Sequence, residues 1–312
     1  MAFAGKKVLQ LAITLLLVSI LTFLALQVIP GDPARAKLGI TASEAEVAAL
    51  RTRWGLDRPP VERYLDWIRG MATGNPGESI QYSRPVATLI GERMPVTLTL
   101  AALGLLMTLG LGIPLGLIAV RRPGGALDRV VQAVTQVSLA VPPFFMGILL
   151  QLLFGFVLKW MRIGGYQDYR SGFLPFAASL LVPALALALP RSAMVASFLR
   201  GSLLGQLRTD YVRTAKSKGA SDARVLYRHV FQNAIIPVLS TLGVITAELL
   251  GGSLIVEQVF NLPGLGRLLI MAIGSRDFPL IQTMVVYIAA MVVLVNLLTD
   301  LLYRVADPRI RV

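Results

Sequence analysis

The 312 residues are 55% hydrophobic and only 15% charged, with a mean hydropathy of +0.69, a balance that excludes a soluble domain of this size and points to a multi-pass membrane protein. Thirty Lys and Arg against 17 Asp and Glu leave a net charge of +13; no basic stripe sits on a soluble fold, so the excess is read as cytoplasmic loops facing anionic lipid, with no nucleic-acid partner. The absence of cysteine removes disulfides, thiol catalysis and Cys-ligated zinc without fixing a compartment.

Lys6 and Lys7 precede an apolar run from Val8 to Ile29. A signal peptide has an apolar core of about 7–15 residues and a small-residue cleavage site. This run has 22 residues and ends in Pro30-Gly31-Asp32-Pro33. Residues 1–29 are therefore read as a short cytoplasmic N-terminus and an uncleaved first transmembrane helix.

Residues 30–94 hold nine basic and eight acidic residues. Long loops translocate largely regardless of charge, so this segment is read as an extracytoplasmic loop. Pro59-Pro60 predicts a helix start. Val61, Tyr64, Leu65 and Ile68 then share one apolar face, with Trp54, Trp67 and Met71 nearby. Such a helix either packs on the membrane-facing end of the protein or offers a docking surface. Gly74-Asn75-Pro76-Gly77 reads as a turn.

Five further spans follow in a core over 95–312. They are Pro95 to Val120, Val130 to Leu158 interrupted by Pro142-Pro143, Phe173 to about Leu189 with Pro183 inside, Ala234 to Val256, and Leu280 to Tyr303. Each is read as long enough for the roughly 20 residues a membrane helix needs. Gly112 and Gly116 form a G-x-x-x-G, which favours close helix packing but arises often by chance in apolar chains. The expected fold is all-α, a polytopic membrane protein with six transmembrane helices. Lys6, Lys7, Arg121, Arg122, Arg129, seven central basics, Arg304, Arg309 and Arg311 fall on one side. Lys159, Arg162, Arg170, Arg267 and Arg276 fall in short loops on the other. The richer side is the cytoplasm, which places both termini inside; Arg191 sits at the inner edge of the fourth span.

The longest polar interval in the second half is 200–237, RGSLLGQLRTDYVRTAKSKGASDARVLYRHVFQNAIIP. Its basic residues are Arg200, Arg208, Arg213, Lys216, Lys218, Arg224 and Arg228, against Asp210 and Asp222. Tyr211 to Lys218 predicts a short helix with Tyr211, Val212 and Ala215 on one side and Arg213, Lys216 and Lys218 on the other. Gly219 suits the left-handed residue that ends a helix. Ser221 or Asp222 can cap the next helix, which carries Val225, Leu226, His229 and Val230 as an apolar-leaning stripe. Spacing alone reads equally as an interfacial helix in a positive-inside loop.

DYVRTAKSKGAS followed by RHVFQNAIIP resembles the cytoplasmic coupling loop of ABC-importer permeases, within the dipeptide/oligopeptide/nickel branch. The general pattern is Glu-Ala-Ala, three residues, Gly; this chain keeps Ala215 and Gly219 and departs at Arg213 and Thr214. Similar matches to that branch are Val28-Ile29-Pro30-Gly31-Asp32-Pro33, Trp54-Gly55-Leu56-Asp57-Arg58-Pro59, Gly74-Asn75-Pro76-Gly77-Glu78-Ser79, and Gly251 to Phe260 continuing to Pro263-Gly264-Leu265-Gly266. The resemblance implies a permease subunit in a bacterial or archaeal inner membrane. It implies as partners a homologous second permease, two ATPase subunits carrying ATP and Mg, and an extracytoplasmic substrate-binding protein. The loop at 200–233 becomes an ATPase-coupling loop of Tyr211, Val212, Arg213, Ala215, Lys216, Lys218 and Gly219. Its apolar side chains enter a groove on the ATPase and its basic ones meet acidic rims. Peptide is the implied cargo, with nickel chelates, glutathione or oligosaccharides as alternatives.

The chain lacks a G-x-x-x-x-G-K-[ST] phosphate loop, so no catalytic residue and no cofactor is assigned to it. His229 is the only histidine, and no metal site is assigned. Glu248 is the acid well inside a span, where a charge must face protein or water; it is read as a translocation-pathway contact, or as paired with the partner permease subunit, or as a protonated, hydrogen-bonded acid. Glu257 lies nearer the outer end and is read as a second pathway residue or a contact of the binding protein. An ion-coupled carrier would need more intramembrane acids and inverted repeats, and a membrane enzyme would need clustered His, Asp or Glu.

Overall fold

The computed structural model describes residues 2–29, 31–39, 41–160 and 164–306. Pro30, Arg162, Arg309 and Arg311 lie outside the described residues, as do the side chains of Lys6 and Arg304. Among the described residues the regular structure is helical, apart from one antiparallel bridge between Glu78 and Pro85.

The chain opens with α1 (Ala2–Val28), followed by α2 (Pro33–Leu38), α3 (Glu44–Arg53) and α4 (Pro60–Ala72). Then come α5 (Val86–Val120), α6 (Ala126–Ala140), α7 (Pro143–Gln151), α8 (Phe173–Ser179) and α9 (Leu181–Gln206). The remainder is α10 (Asp210–Ser217), α11 (Asp222–Arg224), α12 (Phe231–Ala234), α13 (Ile236–Val259), α14 (Leu265–Gly274) and α15 (Phe278–Ala306). Five of these helices, α1, α5, α9, α13 and α15, contain stretches long and apolar enough to cross a membrane. The pair α6 and α7, with its continuation to Val157, makes a sixth if counted as one broken span.

Three of the expected spans have different bounds. Helix α5 starts at Val86, nine residues before Pro95, so the loop boundary at residue 94 falls inside it. Val86, Leu89 and Ile90 are buried, which supports the additional turns by packing. The third span is bent by 105° at Pro142-Pro143. Each proline forces extended backbone on the residue before it, and Val141 and Pro142 have ψ of 120° and 145°. The fourth does not run from Phe173 to Leu189: α8 ends at Ser179, and α9 continues past Pro190 to Gln206. It carries Arg191 and Arg200 inside the helix because both find carboxylates.

The chain divides into two compact units. One comprises Met1–Thr97 with Pro263–Leu294. Its larger core joins Leu26, Leu89, Ile90, Leu265, Leu280 and Met284. A second cluster sets Trp67 of α4 against Phe23 of α1 and Val286 of α15, with Tyr64, Ile68 and Met71 around it. Trp67 Nε1 donates to Thr283 Oγ1 at 3.1 Å, and the Ser19 and Tyr64 hydroxyls lie 2.9 Å apart. Helix α4 therefore packs on the neighbouring long helices. Its buried face is not the expected one: Val61 and Leu65 are 70% and 46% exposed, and the face is rotated to bring in Trp67, whose large ring offers more apolar area.

Buried Asp277 ties the 79–81 turn to the start of α15. It accepts the Ser79 hydroxyl and the N–H groups of Ile80 and Gln81, both at 3.1 Å, and of Leu280 at 3.3 Å. Helices α2 and α3 were not foreseen. Asp32 accepts the Ala34 N–H at α2, and Ser43 with Glu46 forms a capping box at α3.

The other unit comprises Leu98–Leu262 with Val295–Val312. Helix α9 is its axis, with α6, α7 and α13 packed on it. Its buried positions include Ala184, Ala186, Ala188, Ala193 and Ala196, small residues that let backbones approach in a membrane. The G-x-x-x-G of α5 meets this face. A Cβ on Gly112 would lie 2.8 Å from Ser192 O and from Val195, and one on Gly116 would lie 3.1 Å from Ala196 O and from Leu199.

Candidate functional site

The central polar stretch folds as the helix–Gly–helix elbow that its residue types suggested. Helix α10 ends at Ser217 with Lys218 as its C-cap, and Gly219 follows with φ +82°. The Gly219 N–H donates to Lys216 O at 2.9 Å and the Ala220 N–H to Ala215 O at 3.2 Å. These two bonds make a Schellman motif, which needs a left-handed residue at this position and so favours glycine. They also make Ala215 and Gly219 parts of one stop signal. Ser221 Oγ accepts the Arg224 N–H at 3.4 Å and starts the next helical segment. That segment runs through α11, a widened π turn over Val225–Val230, and α12.

Apolar contact fixes the elbow to its own unit. Val212, Val225, Leu226, Val230 and Ala234 are buried. The Tyr211 hydroxyl donates to Gln206 Oε1 at 2.9 Å, and Arg121 Nη2 donates to the Tyr227 hydroxyl at 2.7 Å. Lys216 Nζ lies 2.7 Å from Asp222 Oδ1, across the bend. Arg213, Lys216, Lys218, Arg224 and Arg228 are exposed, as is Tyr211. Two residues differ from expectation. His229 is exposed and not part of the buried stripe. Val212 turns into the chain, so of the three apolar residues on α10 only Tyr211 and half-buried Ala215 remain accessible.

Two ion pairs within the same unit were not foreseen. Arg200 and Asp128 pair at 2.7 Å. Arg191 Nε lies 3.0 Å from Glu248 Oε2, close enough for an ion pair but without hydrogen-bond alignment. Arg191 lies about 15 Å along α9 and Glu248 about 18 Å along α13, by the 1.5 Å rise per residue. Both therefore sit near mid-helix, where a lone charge is costly. The Glu248 side chain is 39% exposed although Oε2 is covered. Glu257 is fully buried, and the chain encloses it rather than presenting it to an outer surface. The signal that marks these pairs in sequence is the scarcity of charge in apolar helices: Arg191 and Arg200 are the charges of α9, Glu248 and Glu257 those of α13, and Asp128 and Arg129 those of α6. Among the described residues no group of three or more His, Cys, Asp or Glu could hold a metal ion.

Residues 112–312 match the family profile described as the binding-protein-dependent transport system inner membrane component, and residues 1–101 match the N-terminal profile of the same membrane component. The chain belongs to this family. This inner-membrane component is 38% identical over 295 residues to the probable peptide ABC transporter permease protein y4tP of Sinorhizobium fredii, covering 95% of this chain and 94% of that one. It is 34% identical over 312 residues to the oligopeptide transport system permease protein AppB of Bacillus subtilis, covering 99% of each. Among solved structures, it resembles the MetNI methionine ABC transporter with a TM-score of 0.57 at 18% identity, over 70% of this chain and 97% of that one. An amino acid ABC transporter crystallised with histidines gives 0.51 at 20% identity, over 72% and 94%. The structural likenesses establish the permease fold, and the full-length relatives establish the branch.

Proposed function

We propose that this chain is one of two permease subunits of an ATP-driven importer for short peptides delivered by an extracytoplasmic binding protein. The observation that carries the reading is similarity along nearly the whole chain to permeases named for peptide transport. The partners are a homologous second permease and two ATPase subunits that hold ATP and Mg; this chain holds no cofactor. Both termini and the elbow face the cytoplasm, where basic residues collect.

The elbow transmits motion. A short helix stopped by a Schellman motif and anchored through Val212 is a stiff handle, and rigid-body movement is a recognised route from a distant site to a gate. Tyr211 and Ala215 enter the ATPase groove, and Arg213, Lys216 and Lys218 meet acidic groups at its rim. Glu248, held by Arg191, lines the path near the bilayer midplane.

The test is reconstitution of the chain in proteoliposomes with its second permease, ATPases and binding protein. ATP-dependent uptake of a labelled tripeptide is expected, together with loss of ATPase capture in Ala215→Glu. Uptake by the purified chain without ATP hydrolysis overturns the proposal, as does failure of the complete assembly to move peptide.

A further inference from the structure

We infer that the folded 30–94 region, together with the adjoining ends of α1 and α15, forms a binding site for a short zwitterionic peptide, with Arg63 as the receptor for the peptide carboxylate. A cavity of about 660 Å³ lies within the unit of Met1–Thr97 and Pro263–Leu294. That volume falls in the range of roughly 300–1,000 Å³ typical of small-ligand sites. Phe23, Trp54 and Trp67 contribute aromatic surface to it, and Arg53, Arg63 and Glu78 contribute charge.

The charges along the wall differ in whether they are satisfied. Arg58 is taken by Asp66 at 2.8 Å and by Glu62 at 3.3 Å. The Lys37 ammonium donates to the Gln81 carbonyl at 2.9 Å. Arg63 has no carboxylate partner among the described residues; its guanidinium carbon stands 6.0 Å from the centre of the Phe23 ring. It is half-buried, and its pKa is lowered by burial and by the nearby Arg51 charge. A desolvated guanidinium without a counter-ion has five donors in a fork suited to a carboxylate. Arg53 and Glu78 likewise have no ion-pair partner among the described residues.

Free charges of both signs beside an aromatic wall fit a molecule with one carboxylate, one ammonium and an apolar body. An anionic lipid headgroup would leave Glu78 facing like charge. The site rests on the peptide reading proposed above and adds a place on this chain where the peptide is held, between the 30–94 region and the ends of α1 and α15.

The probe is the tripeptide Ala-Phe-Ala, titrated against the full chain in phosphatidylcholine nanodiscs. The cavity holds two of the three tryptophans of the chain, so their fluorescence reports occupancy. A saturable change is expected, at least tenfold weaker for the C-terminal amide and for Arg63→Gln. Arg63→Lys, which keeps the charge, is expected to bind more tightly than Arg63→Gln, and exposed Arg69→Gln to match the parent. Equal binding of acid and amide overturns the site, as does an unaffected Arg63→Gln or no saturable signal at all. Displacement of the peptide by phosphatidylglycerol at fixed ionic strength assigns the cation to lipid and overturns it too. So does an Arg63→Gln chain that keeps its peptide signal but no longer captures the binding protein. Uptake by the assembled importer without a cavity signal removes this site alone; a cavity signal without uptake removes the import reading alone.

Discussion

Arg200 grips Asp128 through two parallel bonds of 2.7 Å, Nε to Oδ1 and Nη2 to Oδ2. Asp128 is 1% exposed and also accepts the Gly124 N–H at 2.8 Å and the Gln132 side-chain amide at 2.9 Å. The carboxylate is thus satisfied in full, and Arg200 supplies its only counter-charge among the described residues. Arg200→Ala is expected to cost about 3–5 kcal/mol, because it strands a buried charge. The double replacement by leucine, Asp128→Leu with Arg200→Leu, is expected to recover most of that loss. Thermal unfolding of the purified chain in detergent measures both, and equal losses in the two variants would refute the argument.

The small-residue contact between α5 and α9 has an internal control. Gly112→Ala places a methyl 2.8 Å from backbone oxygen and from Val195, whereas Gly110 has nothing within 4 Å. Overpacking of this kind costs about 1–3 kcal/mol, while Gly→Ala in open helix gains up to about 1 kcal/mol. Gly112→Ala should lower the melting temperature and Gly110→Ala should hold or raise it.

Gly219 has open space around it, so the cost of a side chain there is conformational. Alanine in the left-handed region costs about 1–2 kcal/mol. Proline cannot reach φ +82° and removes the N–H that bonds Lys216 O. Co-purification of the ATPase subunits is expected to fall several-fold in Gly219→Ala and to vanish in Gly219→Pro, with membrane insertion unchanged. Asparagine is expected to lie closest to the parent. Normal ATPase capture by Gly219→Pro would show that the stop signal is not what the partner grips.

Trp67 separates packing from hydrogen bonding. Trp67→Ala removes the ring stacked with Phe23 at 6.5 Å and tilted against Tyr64 at 6.0 Å, an expected loss of about 3–5 kcal/mol. Trp67→Phe keeps most of the contact and loses the bond to Thr283, an expected loss of about 1 kcal/mol. Tryptic cleavage at Arg69 follows the loosening of α4, and it should be rapid in the alanine variant and slow in the phenylalanine one.

Local backbone chemistry was legible in the sequence; distant pairing was not. Pro60 starting α4, Gly219 ending α10 and Ser221 capping the segment after it need only a few neighbouring residues. The capping box of Ser43 and Glu46 is equally local and is the sequence signal for α3. The α4 face was read from spacing alone, and Trp67 shifted it because burial follows area as well as period. Helix α14 has ten residues, too short to register as a span, yet Leu265 and Leu268 enter a core with Val86 and Met284. Asp277 and the pairs of Arg191 and Arg200 join residues far apart in the chain, and no periodicity announces which acid meets which base. Glu248 is therefore legible in the sequence, whereas its pairing with Arg191 is not.

Helix α5 has 35 residues and a length of about 52 Å, against a hydrocarbon thickness of about 30 Å. Lipid alone does not set its height, because even the uncharged stretch from Met94 to Val120, about 40 Å long, exceeds that thickness and fills it in several vertical positions. Its depth must be dictated by protein: by Val86, Leu89 and Ile90 in one core and by Gly112 and Gly116 against α9 in the other. A thicker or thinner bilayer should therefore change the solvation of its ends and leave its register unmoved.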